Sequence, residues 1–212
     1  MREFYYCMSI SIDGGILAGG LSTRMLGKDK GLQHLNGQSM AKSVYQALKP
    51  HVSSLYINCN QNYDAYRSIC PNICSDTIEG YQGPLAGLVS LMEASTADYL
   101  LVSPCDTPYI SEAFGFRMIA ALHSALNNKA LLNEPNKLLL FASKDADRHH
   151  PLHLLISTQY QSKLKQALEQ GQKRVMHWVN NNNVQWVDFS DHMGKFSNFN
   201  SPEALLNTSK YS

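Results

Sequence analysis

The sequence has no long apolar run and no excess of charge of either sign. No apolar segment approaches the roughly 18 residues that a membrane-spanning helix needs. The apolar residues near the N-terminus are interrupted by Ser9, Ser11 and Asp13, so we do not expect a signal peptide. The 18 Lys and Arg residues nearly balance the 17 Asp and Glu residues, for a net charge of +1. This balance argues against broad binding of nucleic acids or membrane surfaces.

The cysteines do not indicate a disulfide framework or a metal site, because their number is odd and no Cys-x-x-Cys pair occurs. They are Cys7, Cys59, Cys70, Cys74 and Cys105. A metal pair at Cys70 and Cys74 is disfavoured by Pro71 and by the lack of a second pair. We therefore expect free, buried thiols and a cytoplasmic protein, since the cytoplasm is a reducing compartment.

The composition that is present is that of a folded domain. The chain has 212 residues, of which 44% are hydrophobic, enough for one domain with a substantial core over residues 1–212. Short apolar runs alternate with amphipathic stretches, and this alternation predicts an α/β fold with a mostly parallel central sheet and helices on both faces. Ligands of such sheets bind outside the carboxyl ends of the strands.

The periodicity also places the individual elements. Strands are predicted over residues 15–18, 55–57, 99–102, 138–142, 152–156 and 184–189. Helices are predicted over residues 40–48, from 84, over 114–126, over 159–170, near 174–179 and from 201. Ser39 is a candidate cap of the first helix, and Pro84 suits the first turn of the second.

A loop suited to phosphate follows the first predicted strand. The strand ends in Gly19-Gly20, and Arg24, Lys28 and Lys30 follow. Glycines let the main chain approach a ligand closely, and successive N–H groups together with cations bind anionic oxygens. An ordinary turn with solvated cations remains the alternative.

Two common phosphate loops do not fit this segment. The Walker pattern requires Ser or Thr after Gly-Lys, but Asp29 follows Gly27-Lys28. The dinucleotide pattern Gly-x-Gly-x-x-Gly is not formed after Gly19-Gly20 either. A phosphate loop at this position is therefore of another kind.

Asp106 is the best candidate for a metal ligand. It follows the strand predicted over residues 99–102 and lies between Pro104 and Pro108, which stiffen the turn. A rigid carboxylate at a strand end can hold Mg²⁺, which prefers oxygen ligands and retains several waters. The structural alternative is an Asp that caps its own turn. Because both segments follow strands, Asp106 and the glycine loop are expected at the same edge of the sheet.

These segments together resemble a known family. Leu17-Ala18-Gly19-Gly20, Arg24-Met25 and Lys30 resemble the signature of nucleotidyltransferases, and the Gly-Gly form with Asp29-Lys30-Gly31 is similar to the molybdenum cofactor guanylyltransferases. Further segments agree in order along nearly the whole chain. They are Ser75-Asp76, Gly83-Pro84-Leu85-Ala86-Gly87, Pro104-Cys105-Asp106-Thr107-Pro108-Tyr109-Ile110, His150-Pro151, Arg174-Val175-Met176, Val187-Asp188-Phe189-Ser190-Asp191 and Asn198-Phe199-Asn200-Ser201-Pro202-Glu203.

The resemblance implies a Rossmann-like, three-layer nucleotidyltransferase fold and a specific reaction. GMP would pass from GTP to molybdopterin, or to its molybdenum-bearing form, with Mg²⁺ as cofactor and release of pyrophosphate. The resemblance also implies transient contacts with other molybdenum cofactor biosynthesis proteins and with molybdoenzymes.

The same resemblance assigns site residues. The expected catalytic residues are Asp106, Lys30 and Arg24, with Asp106 as the metal ligand. The expected nucleotide-binding residues are Leu17, Ala18, Gly19, Gly20, Lys30, Asn58, Asp76 and Asp106. The expected residues for the second substrate are Asn198, Asn200, His150 and Arg174. The sequence does not distinguish whether Asn58 or Asp76 contacts the base.

Two other functions are compatible with parts of this sequence, and the sequence departs from the family at two places. A cytidylyl- or sugar-nucleotide transferase would share the fold but more often has Leu-Ala-Ala-Gly, and a nucleotide-binding accessory protein would lack turnover. Leu26 replaces a residue that is usually Gly, and residues 111–146 form a longer segment than usual. The three histidines His149, His150 and His153 could suggest a metal site. We expect them not to form one, because their spacing puts neighbouring members on opposite sides of a strand.

Overall fold

A seven-stranded sheet forms the centre of the computed structural model, which describes residues 10–19, 29–78, 80, 83–128, 138–192 and 196. The strands in chain order are β1 (Ile12–Leu17), β2 (His34–Leu35), β3 (Gln38–Ser39), β4 (Leu55–Asn58), β5 (Ile73–Cys74), β6 (Tyr99–Pro104), β7 (Leu140–Lys144), β8 (His149–Ser157) and β9 (Gln185–Asp188). The order across the sheet is β5-β4-β1-β6-β8-β7-β9, and β2 and β3 form a separate hairpin.

The strands of the sheet run in one direction, with the exception of β8. The pairs β1–β4, β1–β6, β4–β5 and β7–β9 are parallel, whereas β8 is antiparallel to both β6 and β7. As a result, β8 begins at the edge where the parallel strands end. The predicted α/β fold with a mostly parallel sheet is confirmed.

Helices cover both faces of this sheet, as predicted. They are α1 (Met40–Leu48), α2 (Tyr63–Arg67), α3 (Pro84–Ala94), α4 (Glu112–Leu126), α5 (Gln161–Glu169) and α6 (Val175–Asn180). Single 3₁₀ turns occupy Lys49–His51, Thr158–Tyr160 and Ser190–His192. Buried side chains of α1, α2 and α4 form one core layer, and those of α3, α5 and α6 form the other.

Most residues of the central strands β1 and β6 are apolar because both faces of these strands are covered, although β1 also contains the buried Asp13 and β6 the buried Ser103. All six residues of β1 are buried, and Ile16 and Leu17 pack into opposite core layers. In β6, Leu101 packs into the first layer and Leu100 and Val102 into the second. Continuous apolar runs of this kind are typical of parallel strands that lie between two helix layers.

The start of α1 and the cysteines differ in part from what the sequence predicts. Ser39 precedes α1 in extended conformation, but its side chain makes no capping hydrogen bond, so the predicted cap interaction is wrong. The free thiols of Cys59, Cys70 and Cys105 are buried, as predicted, but Cys74 is partly exposed, so the prediction is wrong for that residue. Cys7 lies outside the described residues. In the described parts of the chain, no helix is long and apolar enough to cross a membrane. The helix predicted from Ser201 lies outside the described residues.

Strand β8 starts earlier than predicted and contains a bulge. Leu154 pairs with Ala142, but the next residue of β7, Ser143, pairs with His150, so three residues of β8 are accommodated between two adjacent partners. Such a bulge redirects side chains. The expectation that His150 and His153 point to opposite sides is therefore wrong, because both rings pack against Phe196.

We predict that Tyr160→Phe lowers the free energy of unfolding by about 1 kcal/mol, the usual net value of a buried hydrogen bond. The hydroxyl of Tyr160 is buried and donates to the carbonyl oxygen of Asn182 at 3.0 Å. Urea denaturation followed by circular dichroism measures the change. An unfolding midpoint equal to that of the wild type would contradict the assigned hydrogen bond.

Candidate active site

The carboxyl ends of the parallel strands bring most of the described candidate residues together. Leu17 at the end of β1 pairs with Asn58 of β4 on one side and Pro104 of β6 on the other. The backbone N–H of Ala18 donates to the carbonyl of Asn58 at 2.8 Å, and that of Cys105 donates to Leu17 at 3.0 Å. These bonds hold the strand ends in one row, so the segments after them share one edge.

Lys30 and Asp106 form an ion pair at this edge. The Lys30 Nζ lies 3.8 Å from Asp106 Oδ2, and the two side chains are 26% and 14% exposed. Burial raises the pKa of Asp106, although the positive charge of Lys30 and a backbone hydrogen bond oppose this effect. A charged carboxylate in this position therefore lacks much of the solvation it would have in water.

The second oxygen of Asp106 is well suited to a metal ion. Asp106 Oδ1 is buried and has no hydrogen-bond partner among the residues that the structure describes. Within the same residues, no three His, Cys, Asp or Glu side chains are grouped as a metal site. Mg²⁺ fits such a position, because it is commonly bound through one or two carboxylates, several waters and substrate phosphates.

A hydrogen-bond network fixes the side chain of Asp76. Asn58 donates to Asp76 Oδ1 at 3.0 Å, and Asn60 donates to Asp76 Oδ2 at 2.8 Å. The Asn60 amide also accepts from the backbone N–H of Asp76 at 2.9 Å and donates to the carbonyl of Gly19 at 3.2 Å. The network ties the start of the glycine loop to the Asp76 carboxylate.

Burial distinguishes the roles of Asn58 and Asp76, which the sequence alone does not. Asn58 is only 1% exposed, so it lies beneath Asp76 and orients the carboxylate. Asp76 is partly exposed and can still accept further hydrogen bonds, since a carboxylate has about four acceptor positions. Asn60 was not among the predicted site residues. Its spacing of two from Asn58, just past a strand, was the signal that could have revealed it.

Two glycines make room for the Asn58 amide. An ideal Cβ at Gly19 would lie 2.8 Å from Asn58 Oδ1, and one at Gly87 in α3 would lie 2.4 Å from the same atom. Gly83, which precedes Pro84 at the start of α3, has a φ of +75° that favours glycine. The Gly-Pro-Leu-Ala-Gly segment is thus explained by a helix start and a close approach to Asn58.

His150 lies at the site edge because β8 runs antiparallel. Its Nε2 is 2.7 Å from Asp145 Oδ2, and its ring stacks on Phe196 with centroids 4.8 Å apart. Burial would raise the pKa of Asp145, but hydrogen bonds from His150 and from the N–H groups of Arg148 and Asp147 outweigh it and lower the pKa. Asp145 thereby fixes the orientation of the His150 ring.

His153 connects β8 to the turn that carries Asp106. The His153 Nε2 lies 3.0 Å from the hydroxyl of Thr107, which donates to the carbonyl of Pro104 at 3.1 Å. Burial, together with the nearby His150, lowers the pKa of His153 to about 3, so its ring is neutral. The neutral Nε2–H donates to Thr107, and the Asp106 turn is held from both sides.

The predicted residue Arg174 is not joined to this cluster. Arg174 is exposed at the start of α6, and its side chain makes no hydrogen bond or ion pair with residues in the described ranges. Four predicted residues lie outside the described residues, namely Gly20, Arg24, Asn198 and Asn200. The same holds for Leu26 and for residues 129–137 of the longer middle segment.

Comparison with known proteins identifies the family of the chain. A model of the MobA-like NTP transferase domain matches residues 14–184. The molybdenum cofactor guanylyltransferase of Haemophilus influenzae (strain ATCC 51907 / DSM 11121 / KW20 / Rd) is 34% identical over 201 residues, which cover 95% of this chain and 99% of that protein. The chain belongs to the MobA-like NTP transferase family. The MobA-like match over residues 14–184 includes the described residues from Leu17 to His153.

Solved structures show how widely the MobA-like fold is shared. The molybdopterin-guanine dinucleotide biosynthesis protein A of Archaeoglobus fulgidus has a TM-score of 0.69 and 18% identity, with coverage of 93% of this chain and 97% of that one. The 4-diphosphocytidyl-2C-methyl-D-erythritolsynthase of Anaerococcus prevotii has a TM-score of 0.65 and 12% identity, with coverage of 95% and 98%. The fold by itself does not choose the nucleotide.

We predict that Gly87→Ala weakens GTP binding more than it lowers stability, because the added Cβ displaces the Asn58 amide. Titration calorimetry with GTP and Mg²⁺ measures the affinity, and thermal unfolding measures the stability. Gly115→Ala in α4 is the matched control, since its Cβ would meet the His51 ring instead. Equal GTP affinity in both variants would contradict the positioning of Asn58.

Proposed function

We propose that this chain is a Mg²⁺-dependent guanylyltransferase that transfers GMP from GTP to molybdopterin or to its molybdenum-bearing form. The observation that carries the proposal is the Lys30–Asp106 pair at the same sheet edge as the Asp76 network. The family and the name of the Haemophilus influenzae relative support the same reaction. We assign it to one domain, residues 1–212, that acts in the cytoplasm.

The transfer needs no nucleophile from the protein. A terminal phosphate oxygen of the acceptor attacks the α-phosphorus of GTP, and a new phosphorus–oxygen bond forms. The bond between the α-phosphorus and the oxygen that bridges to the β-phosphorus breaks, and pyrophosphate leaves with the electron pair. Lys30, and Arg24 by family resemblance, stabilise the negative charge on the leaving pyrophosphate. A Mg²⁺ ion held by Asp106 would neutralise charge on the triphosphate oxygens.

The guanine base is assigned to Asp76. A carboxylate can accept hydrogen bonds from both N1–H and N2–H of guanine, a donor pattern that cytosine lacks. A site built to make such bonds discriminates strongly against a ligand that cannot form them. Asn58 and Asn60 support this role by holding both carboxylate oxygens of Asp76. Leu17, Ala18, Gly19 and Gly20 would shape the main chain around the phosphates.

The acceptor is assigned to the side of the site formed by β8. His150, fixed by Asp145, lies at the same edge as Asp106, and Asn198 and Asn200 are included by family resemblance. Arg174 is assigned only a weaker role, as an exposed cation that attracts the acceptor phosphate. Contacts with other molybdenum cofactor biosynthesis proteins and with molybdoenzymes remain predictions from the family.

We predict that a guanine dinucleotide forms from GTP, and not from CTP, when Mg²⁺ and molybdenum-loaded molybdopterin are supplied. Chromatographic separation of the products measures this directly. Product from CTP would refute the assignment of the guanine base to Asp76, but it would be consistent with the proposed transfer reaction. Absence of product from both nucleotides, with GTP still bound, would instead favour the accessory protein.

We predict that Asp106→Asn lowers turnover by about 100-fold or more, because an electrostatic contact at the reacting phosphates is lost. The pKa of Asp106 is raised in the folded chain, so its charge at pH 7 costs stability, and the neutral amide removes that cost. Without ligand, the variant is therefore expected to melt at a temperature equal to or above that of the wild type. Near-normal product formation would refute the metal assignment.

A further inference from the structure

The phenol of Tyr66 lies where the loop of Lys30 meets the turn of the metal carboxylate. Tyr66 in α2 is fully buried, and its hydroxyl donates a 2.5 Å hydrogen bond to Oδ1 of Asp29, the residue before Lys30. An ideal Cβ at Gly31 would lie 2.5 Å from the Tyr66 oxygen and 3.1 Å from the Sγ of Cys105. The Tyr66 hydroxyl is therefore packed between the chain neighbours of both proposed catalytic residues.

Both carboxylate oxygens of Asp29 accept hydrogen bonds from other residues of the protein. Its Oδ1 also accepts from the backbone N–H of Gly31 at 3.1 Å, and its Oδ2 accepts from the Asn62 amide at 3.0 Å. Its carbonyl oxygen accepts from the Gln33 amide at 3.0 Å. The backbone on both sides of Lys30 is thus anchored, and the main anchor comes from α2 and the residue before it.

The Tyr66 hydroxyl is suited to hold Asp29 in a fixed position. Burial, the neighbouring Cys105 and the hydrogen bond to Asp29 raise the pKa of Tyr66 well above its usual range. The hydroxyl therefore stays protonated and donates at every pH at which the protein works. A hydrogen bond from a buried donor to a carboxylate is among the stronger ones in proteins.

We propose that Tyr66 is a positioning residue for the nucleotide. Through Asp29 and Gly31 it sets where the Lys30 side chain starts, and so fixes the 3.8 Å spacing between Lys30 and Asp106. Lysine has a long, flexible side chain, so its ammonium group can be held in one place only if its backbone is held. This inference rests on the proposed binding of GTP by Lys30 and Asp106.

Tyr66→Phe tests this role, with Tyr160→Phe as the matched control. Each substitution removes one hydroxyl from a buried tyrosine, but Tyr160 lies at the opposite edge of the sheet, after the end of β8. Calorimetry with GTP and Mg²⁺, in the absence of acceptor, gives the dissociation constant. We expect Tyr66→Phe to raise it about tenfold, the size expected for losing a hydrogen bond to a charged group. Tyr160→Phe should leave it unchanged, although both variants unfold at a lower temperature.

A second variant covers the case in which Tyr66→Phe does not fold. Asn62 has a φ of 54°, which glycine also adopts readily, so Asn62→Gly keeps the backbone and removes only the amide that donates to Asp29. We expect it to weaken GTP binding in the same direction. In the double variant the two losses should not add, because both act through the same carboxylate.

The outcomes distinguish the positioning role of Tyr66 from the proposed guanylyltransferase reaction. If Tyr66→Phe and Asn62→Gly bind GTP as tightly as Tyr160→Phe does, the positioning role is overturned. A wild-type chain that binds GTP but forms no dinucleotide refutes the guanylyltransferase reaction, and the comparison of dissociation constants still decides the role of Tyr66. A wild-type chain that does not bind GTP overturns both.

Discussion

The carboxylate of Asp106 is mostly buried, and one of its oxygens has no hydrogen bond from the described residues. A charge removed from water in this way is costly unless other groups compensate for it. Lys30 supplies part of that compensation, and bound metal and phosphates would supply the rest. The surrounding structure keeps the turn from relaxing: Pro104 and Thr107 close it, and His153 holds it from β8. The buried charge therefore lowers the stability of the protein without ligand, but it leaves the carboxylate already in place to bind one.

The two halves of the sheet contribute different residues to the site. Strands β1, β4, β5 and β6 end at the edge that holds Asp76 and Asp106, and their connections pass through α1, α2 and α3. The other half begins at β8, whose reversed direction brings His150 to the same edge. A strand parallel to the others would have placed that histidine at the far side of the molecule. One reversed strand thus brings two sequence regions to the same edge of the sheet.

Much of this arrangement was predictable from the sequence, for physical reasons that differ between residues. The strands and the edge that carries Asp106 follow from apolar runs and prolines, which act locally. Asn60 and Tyr66 were missed because their importance comes from partners far along the chain, Gly19 and Asp29, that no periodicity reveals. The side on which His153 lies was predicted wrongly, since the bulge in β8 arises from pairing with β7 and not from the β8 sequence alone. Burial, which separates Asn58 from Asp76, is likewise a property of the packed molecule.

The two halves also differ in how far along the chain their contacts reach. Strands β7 and β8 are joined by the four residues 145–148, so they form a local hairpin. The half formed by β1, β4, β5 and β6 is held by distant pairs, such as Ser54 with Asp13, 41 residues apart, and Ser11 with Asp98, 87 residues apart. Closing longer loops costs more conformational entropy before any contact forms, and parallel pairing is intrinsically slow. We therefore expect the hairpin to form early during folding and the part of the sheet that carries Asp76 and Asp106 to be completed last.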